Sequence, residues 1–287
     1  MMRFIPLAVL LGASVTLSHA AFVTFSASGA NAIDIQTTVD SFRTALGTLN
    51  PNVIGSLGAG RREINWDGVP DALSAPSNLP ANFFNVNSPR GVVFSTPGTG
   101  FQVSATAASG TPVEFGNINA TYTGLFKTFS PQRLFTALGS NIIDINFFVP
   151  GTTTPAFTTG FGSVFSDVDN ANTTSIQFFN LANASLGTFF APSASGNETL
   201  SFLGVLFNAG EQVSRVRITS GNSALGLAEE LPGRDLVVMD DFIYAEPRAI
   251  AEPGSVGLIV LGLLLLTGFA RSSVQRVSLR RAVRPRH

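Results

Sequence analysis

Cysteine is absent from this sequence of 287 residues, and histidine occurs only at positions 19 and 287. The segment between them therefore cannot form disulfides, and it lacks the Ser–His–Asp and Cys–His groups of nucleophilic catalysis. It also lacks the His and Cys ligands that zinc and copper usually take. Carboxylates are the remaining groups for catalysis or metal binding.

Basic residues are scarce in the central part of the chain. Of 17 Lys and Arg, only 10 lie within residues 21–253, together with all 18 acidic residues, so this segment has a net charge of −8. Lys127 is its single lysine. Because phosphate binding depends on such cations, we predict no nucleic-acid partner.

The N-terminus has the pattern of a signal peptide. Arg3 precedes an apolar run over residues 5–15, and small residues, Ser18 and Ala20, then stand at positions −3 and −1 before Ala21. We predict a signal peptide over residues 1–20, cleaved between Ala20 and Ala21. The partners that this implies are Sec-type export machinery and signal peptidase.

The C-terminus has the pattern of a stop-transfer segment. Residues 254–270 are uncharged and apolar, and the tail 271–287 carries six arginines and no acid. As a helix the run reaches about 25 Å, just short of a bilayer core of ~30 Å. We predict a linker over 246–253, a transmembrane or sorting helix over 254–270 and a basic cytoplasmic tail.

Short apolar or alternating runs separated by turn residues fill the segment 21–245 and predict one all-β domain, a sandwich or barrel. Ile143, Ile145 and Phe147, for example, alternate with polar residues. The strands that this pattern indicates are residues 143–147, 161–168, 175–179, 186–190, 200–207, 215–219 and 236–244.

A single amphipathic helix is predicted near the start of the domain. Asp34 can serve as its N-cap, and Gly47 stands where a C-terminal glycine is expected. Its apolar stripe consists of Ile35, Val39, Phe42 and Leu46.

Two carboxylates, Asp167 and Asp169, stand at the end of a predicted strand with Asn170 beside them. Hard oxygen ligands at this spacing suit Ca²⁺. The alternative is an ordinary solvated turn.

A second pair, Asp240 and Asp241, lies inside the last predicted strand. Adjacent strand residues point to opposite faces, so one of these acids faces the apolar side and needs a partner. That partner could be Arg215 or Arg217 in a buried ion pair, or a set of backbone amides. Alternatively, Asp240 and Asp241 share a Ca²⁺ with the 167/169 turn.

The most polar cluster surrounds the only tryptophan, Trp66. Its ring could stack on a sugar while Arg62, Asn65 and Asp67 bind hydroxyls. The alternative is a core tryptophan whose indole N–H donates to a backbone carbonyl.

Ala251-Glu252-Pro253, the apolar run and Arg271 together resemble the PEP-CTERM sorting signal, although Ala251 departs from its first proline. The resemblance implies an exosortase-like enzyme that cuts near Glu252 and Pro253 after transient anchoring in the inner membrane. The mature protein would then reach the outer surface or the medium. An uncleaved, permanently anchored protein is the alternative.

The body resembles PEP-CTERM proteins that carry a β-sandwich of unknown function. The likeness rests on residues 60–68, 88–96, 160–169 and 238–243. It implies a jelly-roll-like antiparallel sandwich similar to carbohydrate-binding modules, some of which hold a structural Ca²⁺.

These features together predict an exported, non-enzymatic cell-surface or matrix protein, with an exopolysaccharide as its ligand. The alternatives are a carbohydrate-active enzyme built on a carboxylate pair, and a membrane-anchored structural protein.

Overall fold

The structure is a computed structural model that describes residues 21–250. Two antiparallel β-sheets form the domain. The predicted all-β sandwich is thereby confirmed. The first sheet has the strand order β1-β11-β8-β13-β5-β4, with β2 also beside β13, and the second has the order β10-β9-β12-β6-β3. The chain passes repeatedly from one sheet to the other, as it does in β-sandwiches.

The strands are β1 (Phe22–Gly29), β2 (Arg61–Ile64), β3 (Val92–Ser95), β4 (Gly100–Val103), β5 (Phe135–Leu138), β6 (Ile142–Phe147), β7 (Ala156–Phe157), β8 (Gly160–Ser166), β9 (Ser175–Asn180), β10 (Ser185–Phe190), β11 (Leu200–Phe207), β12 (Val213–Thr219), β13 (Val238–Ala245) and β14 (Arg248–Ala249). The helices are α1 (Ala32–Leu46) and α2 (Phe83–Val86).

The two sheets differ in what covers their outer faces. In β6 every second residue is buried, because only the inner face of the second sheet meets the core. In β8 and β13 every residue is buried, because helix α1 packs on the outer face of the first sheet. The apolar stripe predicted for this helix, from Ile35 to Leu46, is the buried face.

Helix α1 begins earlier than the sequence analysis predicts. Asn31 is the N-cap, and Asp34 occupies the third helical position, where its Oδ2 accepts the Asn31 N–H at 2.8 Å. This hydrogen bond is one of the two reciprocal bonds of a capping box. In that motif an acidic residue at the third helical position accepts the N–H of the N-cap residue. The predicted C-terminal glycine, Gly47, is confirmed, with φ at +98° and its N–H bonded to the last turn.

Glycines in the first sheet allow the helix to approach closely. A Cβ atom at Gly204 would lie 2.9 Å from a ring carbon of Phe42, and one at Gly162 would lie equally close to the same ring. These two neighbouring glycines form the floor that receives the largest side chain of the helix stripe.

Several predicted segments lie outside the described residues. They are the signal peptide with Ala20, the sorting motif Glu252 and Pro253, the apolar run 254–270 and the tail from Arg271. Within residues 21–250, no helix combines the length and apolar character needed to span a bilayer.

Candidate metal centre

Asp167 lies directly after β8, in a turn that the backbone holds firmly. Its own N–H donates to the carbonyl of Thr199 at 2.9 Å, and the carbonyl of Val168 accepts the N–H of Ala194 at 2.9 Å. The φ angle of Asp167 is +72°, in the left-handed region that Asp and Asn tolerate better than most residues do. The turn thereby directs this carboxylate inward.

The carboxylate of Asp167 is buried and lacks partners. The residue has 0% exposure, and neither Oδ1 nor Oδ2 meets a hydrogen-bond donor among the described residues; the group that it faces is the carboxylate of Glu230. A buried charge without compensation is among the most costly arrangements in a protein. Asp167 therefore requires either a proton or a cation.

Two further carboxylates converge on Asp167. Asp169 and Glu230 each place a carboxylate oxygen so that the three oxygens lie within 4.8 Å of one another. Asp169 is held by the Gly196 N–H at 3.2 Å, and Glu230 is held by the Leu236 N–H at 2.8 Å. A cluster made only of oxygen donors matches hard divalent cations such as Ca²⁺.

Strand register explains why these residues meet. β8 and β13 are antiparallel neighbours, and Val238 pairs with Ser166. The turn after β8 therefore lies beside the loop that leads into β13, and this loop carries Glu230. A fourth acid, the buried Asp235, positions both segments, since its Oδ1 accepts the Asp169 N–H at 3.0 Å and its Oδ2 accepts the hydroxyl of Thr173.

The electrostatics of the cluster disfavour three free carboxylates. Burial, followed by the charges of Glu230 and Asp169, raises the pKa of Asp167 to about 9. Burial also raises the pKa of Glu230. Without a cation, a proton is therefore held in the cluster at neutral pH, whereas a divalent cation would replace that proton.

A polar cleft with a volume of about 410 Å³ opens above the cluster. Asp169 and Glu230 lie in its wall, while Asp167 is buried behind them. The other lining residues include Thr121, Leu125, Asn170, Asn197, Leu231 and Arg234.

Asp240 and Asp241 do not join this cluster, which corrects the predicted shared metal site. Both side chains contact the hydroxyl of Ser130, at 3.2 and 2.7 Å. Asp240 also accepts the Phe129 N–H at 2.6 Å, and Asp241 pairs with Arg43 at 3.1 Å. They reach the same hydroxyl because the β8–β13 register shifts between Met239 and Phe242, so the simple alternation of faces fails here.

The ion pair expected between Arg215 or Arg217 and this strand is also wrong. Both arginines bind Asp144 of β6 instead, at 2.7 and 2.8 Å. For Asp240, burial and the adjacent charge of Asp241 raise the pKa well above its usual value.

The predicted sugar site around Trp66 is wrong in its main residues. Trp66 is 1% exposed, stacks on Phe135 with 4.0 Å between ring centroids, and donates its indole N–H to the carbonyl of Asp240 at 2.8 Å. Arg62 is buried and forms an ion pair with Glu246 at 2.7 Å. Both side chains belong to the interior, so they offer no surface to a ligand.

The two remaining members of that cluster shape a turn. Asn65 is exposed and donates to Asp67 Oδ2 at 3.1 Å, and Asp67 Oδ1 accepts the Gln132 N–H at 2.6 Å. Burial raises the pKa of Asp67. These contacts explain the residues as structural.

Comparison with known proteins does not assign this chain to a family. No protein-family model and no curated protein matches this sequence. Among solved structures, the chain is similar to the enzymatically active domain of tailspike protein 4 of bacteriophage CBA120, with 13% identity and a TM-score of 0.27. The match covers 62% of this chain and 22% of that one. A likeness this weak indicates neither a shared fold nor a shared activity.

Proposed function

We propose that this protein is an exported, non-enzymatic β-sandwich protein that binds Ca²⁺ through Asp167, Asp169 and Glu230. One observation carries the cation site: the carboxylate of Asp167 is fully buried, meets no hydrogen-bond donor among the described residues, and faces the carboxylate of Glu230 instead. Acidic clusters are common on surfaces, but a buried carboxylate without a partner is not.

Ca²⁺ fits this cluster better than other common divalent ions. The donors are carboxylate oxygens, whereas zinc and copper prefer nitrogen and sulfur ligands. Mg²⁺ requires near-ideal octahedral geometry, whereas Ca²⁺ tolerates irregular sets of six to eight oxygens. The bound ion would link the turn after β8 to the loop before β13 and so stabilise the folded state.

Calorimetric titration with Ca²⁺ tests the site directly. We expect one binding event per chain in the unmodified protein and none in Glu230→Gln. The adjacent Glu229 lines the cleft but is not one of the three converging carboxylates, so Glu229→Gln removes the same charge nearby and is the matched control, which should keep the binding event. Equal binding by both variants would remove Glu230 from the site.

The surface location rests on the sequence patterns at the two ends. We propose export by Sec-type machinery, transient anchoring in the inner membrane, and release by an exosortase-like enzyme to the outer surface, where an exopolysaccharide is the partner. Mass spectrometry of the mature protein should find Ala21 at the N-terminus and an end near Glu252. A C-terminal peptide that still contains Arg271 would favour permanent anchoring.

A carbohydrate-active enzyme is the second candidate, because Asp169 and Glu230 lie together in the cleft wall. Retaining glycosidases use two carboxyl groups about 5–5.5 Å apart. Release of reducing ends from polysaccharides, abolished by Glu230→Gln, would establish this activity. We expect no release above that of the variant.

A further inference from the structure

The carboxylate cluster is closed on one side and open on the other. Asp167 is buried beneath it, whereas Asp169 and Glu230 are partly exposed and form part of the cleft wall. A cation held by these three residues would thus have an inner half surrounded by protein and an outer half that faces the cleft.

Counting ligands shows that the outer half is not satisfied by protein carboxylates. Ca²⁺ takes about six to eight oxygens. One oxygen of Asp169 already accepts the Gly196 N–H, and one oxygen of Glu230 already accepts the Leu236 N–H. These hydrogen bonds compete with bidentate binding by either residue, so the ion needs oxygens from the cleft.

The cleft walls suit a polyhydroxylated ligand. The amides of Asn170 and Asn197 can donate hydrogen bonds to hydroxyl groups and accept them, and the guanidinium of Arg234 can donate them. Leu231 is 57% exposed at the same cleft and offers an apolar surface to the C–H face of a sugar ring. The volume of about 410 Å³ is in the range of small-ligand sites.

The net charge of the site favours a neutral ligand over an acidic one. The cluster together with Glu229 and Arg234 has a formal charge of −3, and Ca²⁺ changes this to −1. The site therefore stays negative when it is loaded, and the rest of the domain is acidic as well. A polyanion would be repelled, whereas a neutral sugar with vicinal hydroxyls would not.

We propose that the cleft binds a neutral polysaccharide whose vicinal hydroxyls complete the coordination of the Ca²⁺. This inference rests on the cation site proposed above, and it adds the class of ligand. It also relocates ligand binding from Trp66 to the loop that precedes β13.

The first test is electrophoresis of the full chain in detergent, in gels that contain yeast mannan, galactomannan or dextran. We expect retardation on at least one of these polymers with Ca²⁺ and none with chelator. Alginate, an acidic polymer, should not retard the protein. Retardation that persists in chelator, retardation by alginate alone, or no retardation on any neutral polymer would overturn the proposal.

Two variants separate the ligand from the ion. Asn197→Ala should bind Ca²⁺ normally in calorimetry but lose about three- to tenfold in polymer affinity, the effect of one hydrogen bond. Asp167→Asn should lose both. Unchanged polymer affinity in Asn197→Ala would remove this wall from the binding site.

The second test needs no knowledge of the sugar. Eu³⁺ replaces Ca²⁺, and its luminescence lifetimes in H₂O and D₂O report the number of bound waters. We expect about two or more waters, reduced when mannan or another retarding polymer is added. A value of zero with normal Ca²⁺ binding would overturn the open coordination and leave the cation site intact, whereas absence of Ca²⁺ binding would overturn both.

Discussion

Replacing Asp167 with asparagine should affect stability differently with and without Ca²⁺. Asparagine has nearly the same volume and tolerates the left-handed φ of +72°, so the exchange removes the charge and little else. In chelator the variant should be at least as stable as the unmodified protein, because it removes one of the crowded carboxyl groups that otherwise must hold a proton in the folded state. With Ca²⁺ the order should reverse.

The size of the reversal follows from ligand linkage. An ion present at one hundred times its Kd stabilises the folded state by about 2.7 kcal/mol. For a domain of this size, each kcal/mol raises Tm by about 2–4 °C. The unmodified protein should therefore gain about 5–11 °C on adding Ca²⁺, and Asp167→Asn should gain almost nothing.

Thermal unfolding followed by circular dichroism measures both values. Glu229→Gln is the control and should keep the full Ca²⁺ shift, since its side chain lies outside the cluster. Two outcomes would refute the reasoning: an equal shift in Asp167→Asn, or a large loss of stability in that variant under chelator. The second result would mean that the carboxylate has a structural partner.

Three further predictions concern the domain interior and its titration. Trp66→Ala should lower the free energy of unfolding by about 3–5 kcal/mol in urea denaturation, because the buried ring contacts other aromatics throughout; a loss below 1 kcal/mol would contradict its role in the core. Arg62→Met should cost about 3–5 kcal/mol in the same assay by leaving the buried charge of Glu246 without a cation, and adding Glu246→Leu should restore only part of this loss, since it also removes the acceptor for Asn50 and Leu57. Burial, followed by the charge of Glu198, raises the pKa of Glu114 to about 7. The contribution of Glu114 to the free energy of unfolding is therefore fully present below its usual pKa of 4.5 and is lost as the pH rises through 7. Glu114→Gln should reduce this decline in urea midpoint between pH 5 and 8, and an unchanged decline would assign it to other groups.

Strands and helices could be predicted where one face is exposed to solvent and the other is buried, because polar and apolar residues then recur at a regular spacing in the sequence. In β6 the alternation of Ile143 and Ile145 with Asp144 identifies the strand because only one face is buried. Helix α1 shows its apolar stripe for the same reason. The N-cap predicted for this helix, Asp34, lies three residues after the observed N-cap, because Asp34 is the acid of the capping box and only its hydrogen bond to Asn31 identifies Asn31 as the cap.

The candidate site could be predicted only in part. Asp167 and Asp169 are close in sequence, so their turn is visible, whereas Glu230 meets them only through the pairing of β8 with β13. The spacing of residues in the sequence does not indicate that β8 and β13 pair. Its weak signal was an acidic pair in a Pro-Gly loop immediately before the last long strand.

The misassigned acids and Trp66 have a common cause. Adjacent strand residues such as Asp240 and Asp241 are expected on opposite faces, but a register shift brings both to Ser130. For Trp66, polar neighbours in sequence suggested a surface, although the ring itself packs inward. In both cases tertiary packing overrode a correct local rule.

A crystal structure determined with Ca²⁺, using the anomalous signal of the ion, tests the central claim most directly. We predict an anomalous peak between Asp167, Asp169 and Glu230, with carboxylate oxygens at about 2.3–2.6 Å and at least one oxygen from the cleft. Absence of a peak at this position in saturating Ca²⁺ would contradict it.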